Sequence, residues 1–196
     1  MSPNLLRRPA LWLAAVLVSP GLASAAPLFE DEAVLALKLE APFRTILRDR
    51  NQPEYQPARI VAPGDEGSEV SIDLRVRVRG RSRVQACEFP PLLLNFPDEQ
   101  PAGSPFAREN RLKLVTYCDA NPAYEQYVRL ERQAYLVLNL LTGTSLRTRL
   151  VNVTYYDTER GREIATKIGF LLEDESRFGE RTGLTQLDDE RVEATR

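Results

Sequence analysis

From Val70 to Arg79 the chain alternates without interruption. Val70, Ile72, Leu74, Val76 and Val78 are apolar, and Ser71, Asp73, Arg75, Arg77 and Arg79 between them are polar. A period of two sustained this long fits a strand with one face in a core and the other in water, the pattern of an antiparallel sheet. The turn-rich Pro63-Gly64-Asp65-Glu66-Gly67 separates it from an apolar run at 58–61, so the two segments read as a hairpin.

Other segments join that sheet. Leu35, Leu37 and Leu39 alternate with Ala36, Lys38 and Glu40 in a first strand that stops at Pro42, after which 43–48 suits one helical turn. Short strands are expected at 92–96 and around Leu112 and Leu114, and two more at 149–156 and 166–172 about the polar loop 157–162. Asn121-Pro122 predicts the start of the one long helix, which runs to about Leu141 and closes at Thr142-Gly143. The expected fold is therefore α+β: a mostly antiparallel sheet with one long helix packed on it.

The N-terminus predicts export. Arg7 and Arg8 precede an apolar run from Ala10 to Val18, a helix-breaking Ser19-Pro20-Gly21 and the small-residue triplet Ala23-Ser24-Ala25. These are the three parts of a secretory signal peptide over 1–25, cleaved after Ala25. The apolar run is about half of the roughly 20 residues a membrane span needs, so no stable span is expected after cleavage. Cleavage removes two of the 26 basic residues and none of the 28 acidic ones, leaving an excess of four acidic charges. That balance gives no general attraction to nucleic acid, and the protein is expected in the periplasm or outside the cell.

Cys87 and Cys118 are the only cysteines, and an oxidising compartment favours pairing them; two separate buried thiols are the alternative. The chain contains no histidine, which excludes imidazole bases and histidine-ligated metals. No metal site is expected.

Two constellations stand out. In the long helix the apolar stripe runs through Tyr124, Tyr127, Val128, Tyr135 and Leu138, and Glu131 falls among them. A carboxylate on a core-facing stripe needs a partner, with Lys113 the nearest by pattern, or else it sits at the stripe's edge and pairs with Arg129 or Arg132. The second is the run Arg75, Arg77, Arg79, Arg81 and Arg83, turned at Gly80. Clustered guanidinium groups suit phosphate or carboxylate ligands; a solvated face balanced by Glu69 and Asp73 is the alternative. Glu173-Asp174-Glu175 closes the final strand, beyond which 176–196 is a charged tail.

Several ordered segments carry a resemblance: Arg77-Val78-Arg79-Gly80, Cys87-Glu88-Phe89-Pro90-Pro91-Leu92, 112–118, Tyr124-Glu125-Gln126-Tyr127 and 170–174. In that order the sequence resembles a group of uncharacterised exported bacterial proteins, distantly similar to the spore-coat protein H (CotH) kinase-like superfamily. The resemblance implies a kinase N-lobe over 26–175, incomplete at the C-terminus, with the tail opening a missing second lobe. Arg79, Gly80 and Arg81 would form the turn over nucleotide phosphates. Lys113 and Glu131 would be the phosphate-holding pair, and Glu173 would lie beside the base. No catalytic residue is implied for this chain, and ATP with magnesium would belong to a full-length relative. The alternative function is a cell-envelope binding module that uses the arginine-rich strand face on an anionic envelope component.

Overall fold

A computed structural model describes residues 28–187. The signal peptide expected over 1–25 and the end of the charged tail, 188–196, lie outside the described residues.

Among the described residues seven strands make the frame: β1 (Leu35–Ala41), β2 (Gln56–Pro63), β3 (Glu69–Val78), β4 (Leu92–Asn95), β5 (Arg111–Val115), β6 (Thr148–Asp157) and β7 (Arg162–Leu172). They hydrogen-bond in the order β1-β2-β3-β4-β5-β7-β6, and β6 returns to β1 in parallel, with Leu35 beside Val151 and Ala41 beside Asp157. The sheet is a closed, mixed barrel. This overturns the expected α+β architecture, a mostly antiparallel, kinase-lobe-like sheet with one long helix packed on it. Closure depends on pairing strands from opposite ends of the chain, and it leaves no sheet edge to protect.

The alternation legible in the sequence fills the barrel. Leu37 and Leu39 of β1, Ile60 of β2, Val76 of β3, Leu94 of β4, Leu112 of β5, Val153 of β6 and Leu171 of β7 all point inward and are buried. Gly169 of β7 runs so close to β5 that a Cβ there would lie 2.7 Å from the Val115 carbonyl oxygen. One end is plugged by Arg149, whose parity also directs it inward. Its buried guanidinium donates to the Leu28 and Asp31 carbonyls and pairs with the Asp31 carboxylate at 2.6 Å. At the other end Tyr155 packs with Phe43, Phe89 and Tyr117, beneath a short helix α1 (Phe43–Arg48). A disulfide joins Cys87 to Cys118 and ties the segment after β5 to the end of a second short helix, α2 (Ser82–Ala86).

The long helix is present as α3 (Ala123–Leu141), and the Asn121 side chain accepts the N–H of Ala123 at 3.0 Å. It packs on the outside of the barrel, where Val128 and Tyr135 sit with Val115, Leu146, Phe170 and Leu172. Because the strands already fill the interior, this outer patch is small, and only Val128 of α3 is fully buried. Tyr127 and Leu138, expected on the core stripe, are 63% and 47% exposed. A fourth helix, α4 (Glu175–Thr182), follows β7. Its N-cap is Asp174, which accepts from the Ser176 amide and hydroxyl, and Gly183 ends it in the left-handed region.

Candidate functional site

Ladder register assembles a basic flank on the outside of the barrel. Arg77 of β3 lies level with Leu93 of β4, Lys113 of β5 and Leu172 of β7; one row along, Arg75 lies level with Asn95 and Arg111. The side chains in each row share the outer face because they share parity. Arg75 and Arg77 both stand over the Tyr55 ring, 5.3 and 5.0 Å from its centroid, where the ring's negative face attracts them. The Arg77 Nε is buried and takes no acceptor among the described residues.

Arg79 continues the same parity past the end of β3. Gly80, at φ +105°, then turns the chain into α2 through the exposed Arg81. Arg79 is half-buried, and among the described residues its guanidinium takes neither a carboxylate nor a hydrogen bond. Burial, followed by the charge of Arg83, pushes its pKa below the usual arginine range. Lys113 is buried between Leu93 and Leu172, and burial together with Arg79 pushes it down to about 8, even though Glu175 pairs with its ammonium.

The sequence-predicted residues therefore divide. Arg79 and Lys113 belong to one electrostatic cluster with Arg83, Arg111, Glu131 and Asp174. Glu131 takes its cation from Arg83, at 2.8 Å, in place of the expected Lys113, whose carboxylate is Glu175. Glu173 turns away to the other side. Arg181 of α4 forks onto its two oxygens at 3.0 and 2.8 Å, the Arg147 amide donates to it at 3.1 Å, and it lies on a hollow of about 680 Å³. That network commits Glu173 to holding α4 on the barrel.

The acidic triplet is thus three separate pairings: Glu173 with Arg181, Asp174 with Arg111 at 2.9 Å, and Glu175 with Lys113. For Asp174 burial acts upward, but the hydrogen bonds from Arg111 and Ser176 outweigh it and hold the carboxyl below its usual range. Among the described residues no cluster of three acidic or cysteine side chains is placed to hold a metal ion.

Sequence reasoning passed over Tyr55, Arg111 and Glu109. Arg111 was legible, since it shares the parity of Lys113 in a five-residue strand. Tyr55 stands before a strand with no periodic signal. Glu109 is 8% exposed, has an Oε2 without a partner among the described residues, and is pushed up by burial to about 7. It lies in an irregular loop that no pattern marks.

The disulfide is consistent with an extracellular or periplasmic location, and among the described residues no helix is long and apolar enough to cross a membrane. Comparisons with protein-family models, with curated proteins and with solved structures return no match, so no family is assigned.

Proposed function

We propose that this chain is an exported binding module whose basic barrel flank takes the phosphate or carboxylate groups of an anionic envelope polymer. The observation that carries the reading is the half-buried guanidinium of Arg79, which makes no hydrogen bond or ion pair among the described residues, beside the buried ammonium of Lys113. Arg79 and Lys113 repel one another, Arg83 adds to that repulsion, and the carboxylates of Glu131 and Asp174 offset it only in part, so an anion entering between these groups gains by relieving it. Arg75 and Arg77, held over Tyr55, extend the flank along β3 and offer planar forks of donors to successive anionic groups. The closed barrel removes the basis for treating Gly80 and Lys113 as parts of a kinase-like lobe, and the pairing of Glu173 with Arg181 leaves that carboxylate occupied.

The test is a titration of the folded protein with inorganic polyphosphate and with polygalacturonate, using neutral dextran as control and ATP with magnesium as a separate arm. Both polyanions are expected to bind with an affinity that falls with salt, and falls again as the pH passes about 8, where Lys113 releases its proton. Arg79→Gln is expected to weaken both about tenfold, because it removes one charge-assisted pairing. Binding that ignores Arg79→Gln, or an affinity for ATP alone, contradicts the reading.

A further inference from the structure

The hollow on which Glu173 lies is separate from the basic flank. It is lined by Leu28 and Phe29, by the loop 104–109, by Arg147 and by Arg177 and Arg181 of α4, and its volume is about 680 Å³. Glu109 meets it from a fixed backbone. Its amide donates to the Phe106 carbonyl at 2.8 Å, its own carbonyl accepts from Gln100 Nε2 at 2.8 Å, and Phe106 is buried against Phe96. Arg108, at φ +76°, turns the chain so that Arg108 is exposed and Glu109 buried. The Glu109 side chain is over nine-tenths buried, and its Oε2 has no partner among the described residues. An unsatisfied buried carboxyl is costly, and an incoming donor relieves that cost.

The neighbouring cations do not meet this need. Arg181 forks onto Glu173, and Arg177 pairs with Glu180 at 2.8 Å. Arg177 still draws the Glu109 pKa down, but burial, together with the charges of Glu173 and Asp174, prevails and raises it to about 7. Arg147 spends its amide on Glu173, and its half-buried guanidinium makes no hydrogen bond or ion pair among the described residues. The remaining charges, Glu30, Arg108 and Glu180, are exposed and screened by water. One hollow thus presents a buried carboxyl and a half-buried guanidinium that do not pair with each other, beside the apolar surface of Leu28, Phe29, Pro105 and Ala107. A concave site with apolar walls and a few convergent charged groups is the usual form of a small-molecule pocket.

We propose that this hollow binds a small zwitterion whose ammonium and carboxylate stand several bonds apart, an ω-amino acid or a dipeptide. The ammonium donates to the Glu109 carboxylate, the carboxylate lies in the fork of the Arg147 guanidinium, and the chain between them packs on the apolar wall. Each end of such a ligand supplies the charge that one of these two side chains lacks.

Calorimetric titration of the full chain with 5-aminopentanoate and with alanylalanine, up to about 10 mM, covers the micromolar to millimolar Kd that molecules this small support. Both have the same span, so tighter binding of the first identifies amino acids as the source and tighter binding of the second identifies peptides. Glutarate and cadaverine, each lacking one of the two ends, should bind at least about tenfold more weakly. Glu109→Gln should cost 5-aminopentanoate about tenfold while leaving the protein folded, since an amide of the same shape replaces the buried carboxyl. Arg147→Gln should weaken 5-aminopentanoate similarly and leave cadaverine unaffected. Because Glu109 holds its proton up to about pH 7, binding of 5-aminopentanoate should release close to one proton at about pH 6 and little at about pH 8, read from heats in buffers of different ionisation enthalpy. Absence of binding by both zwitterions overturns the proposal, whether or not residues outside 28–187 fill the hollow. Glutarate or cadaverine binding as tightly as 5-aminopentanoate, or binding that ignores Glu109→Gln and releases no proton at the lower pH, overturns it equally.

Discussion

The Arg83 guanidinium donates to Glu131 Oε1 at 2.8 Å and so ties α2, which follows the Gly80 turn, to the middle of α3. Both side chains are substantially exposed, at 44% and 31%, so solvent screens the pair. A double-mutant cycle with Arg83→Ala and Glu131→Ala is expected to give a coupling below about 1 kcal/mol. A coupling several times larger would mean that water is excluded from this junction.

The pair that closes α4 onto the barrel is of another order. Glu173 is buried, and Arg181 forks onto it while also donating to the Gly143 and Ser145 carbonyls. Arg181→Ala leaves the buried carboxylate, among the described residues, with the Arg147 amide alone, at an expected loss of about 2 kcal/mol or more once partial exposure of the arginine is allowed for. Hydrogen exchange should localise the effect: amides of 175–182 lose protection first, and those of β3 stay protected.

Glu109 predicts a dependence on pH. Burial raises its folded pKa to about 7, above an unfolded value near 4.5, so the folded state holds the proton more tightly. This contribution to stability is complete below about pH 4.5 and declines as the pH rises to about 7. Glu109→Gln should therefore match the parent protein near pH 4 and exceed it by on the order of 2 kcal/mol at pH 8. Urea denaturation at the two pH values measures it, and an equal difference at both would mean that the carboxyl is not titrating.

Tyr155 is fully buried, and its hydroxyl has no hydrogen-bond partner among the described residues. The ring is what the core uses, through its edge contacts with Phe43, Phe89 and Tyr117. Tyr155→Phe is expected to be neutral or stabilising by about 1 kcal/mol, since it removes an unsatisfied polar group. Tyr155→Ala should cost about 3–5 kcal/mol through the cavity it leaves. Thermal unfolding of the two variants separates the contributions.

The bridge between Cys87 and Cys118 closes a span of 31 residues. In the chain-entropy model a loop of that size stabilises by about 3–4 kcal/mol, so Cys87→Ser with Cys118→Ser should lower the midpoint in denaturant by that equivalent.

The strands of this barrel are visible wherever one face meets water, as in Val70 to Val78, because alternation is a local property of the chain. Parity likewise sets Arg75, Arg77 and Arg79 on one side whatever their partners. The helix from Ala123 to Leu141 follows from the capping side chain of Asn121 and an uninterrupted run of helix-compatible residues. None of this carries the parallel ladder between β1 and β6, for that pairing joins segments with no neighbouring residues in common. The same ladder decided the rest. By closing the sheet and filling it with strand residues, it pushed α3 to the outside, exposing Tyr127 and Leu138, and gave Glu131 to Arg83 and Lys113 to Glu175. Local pattern dictates which face of a segment avoids water; only long-range closure dictates where the core is and which charges meet across it.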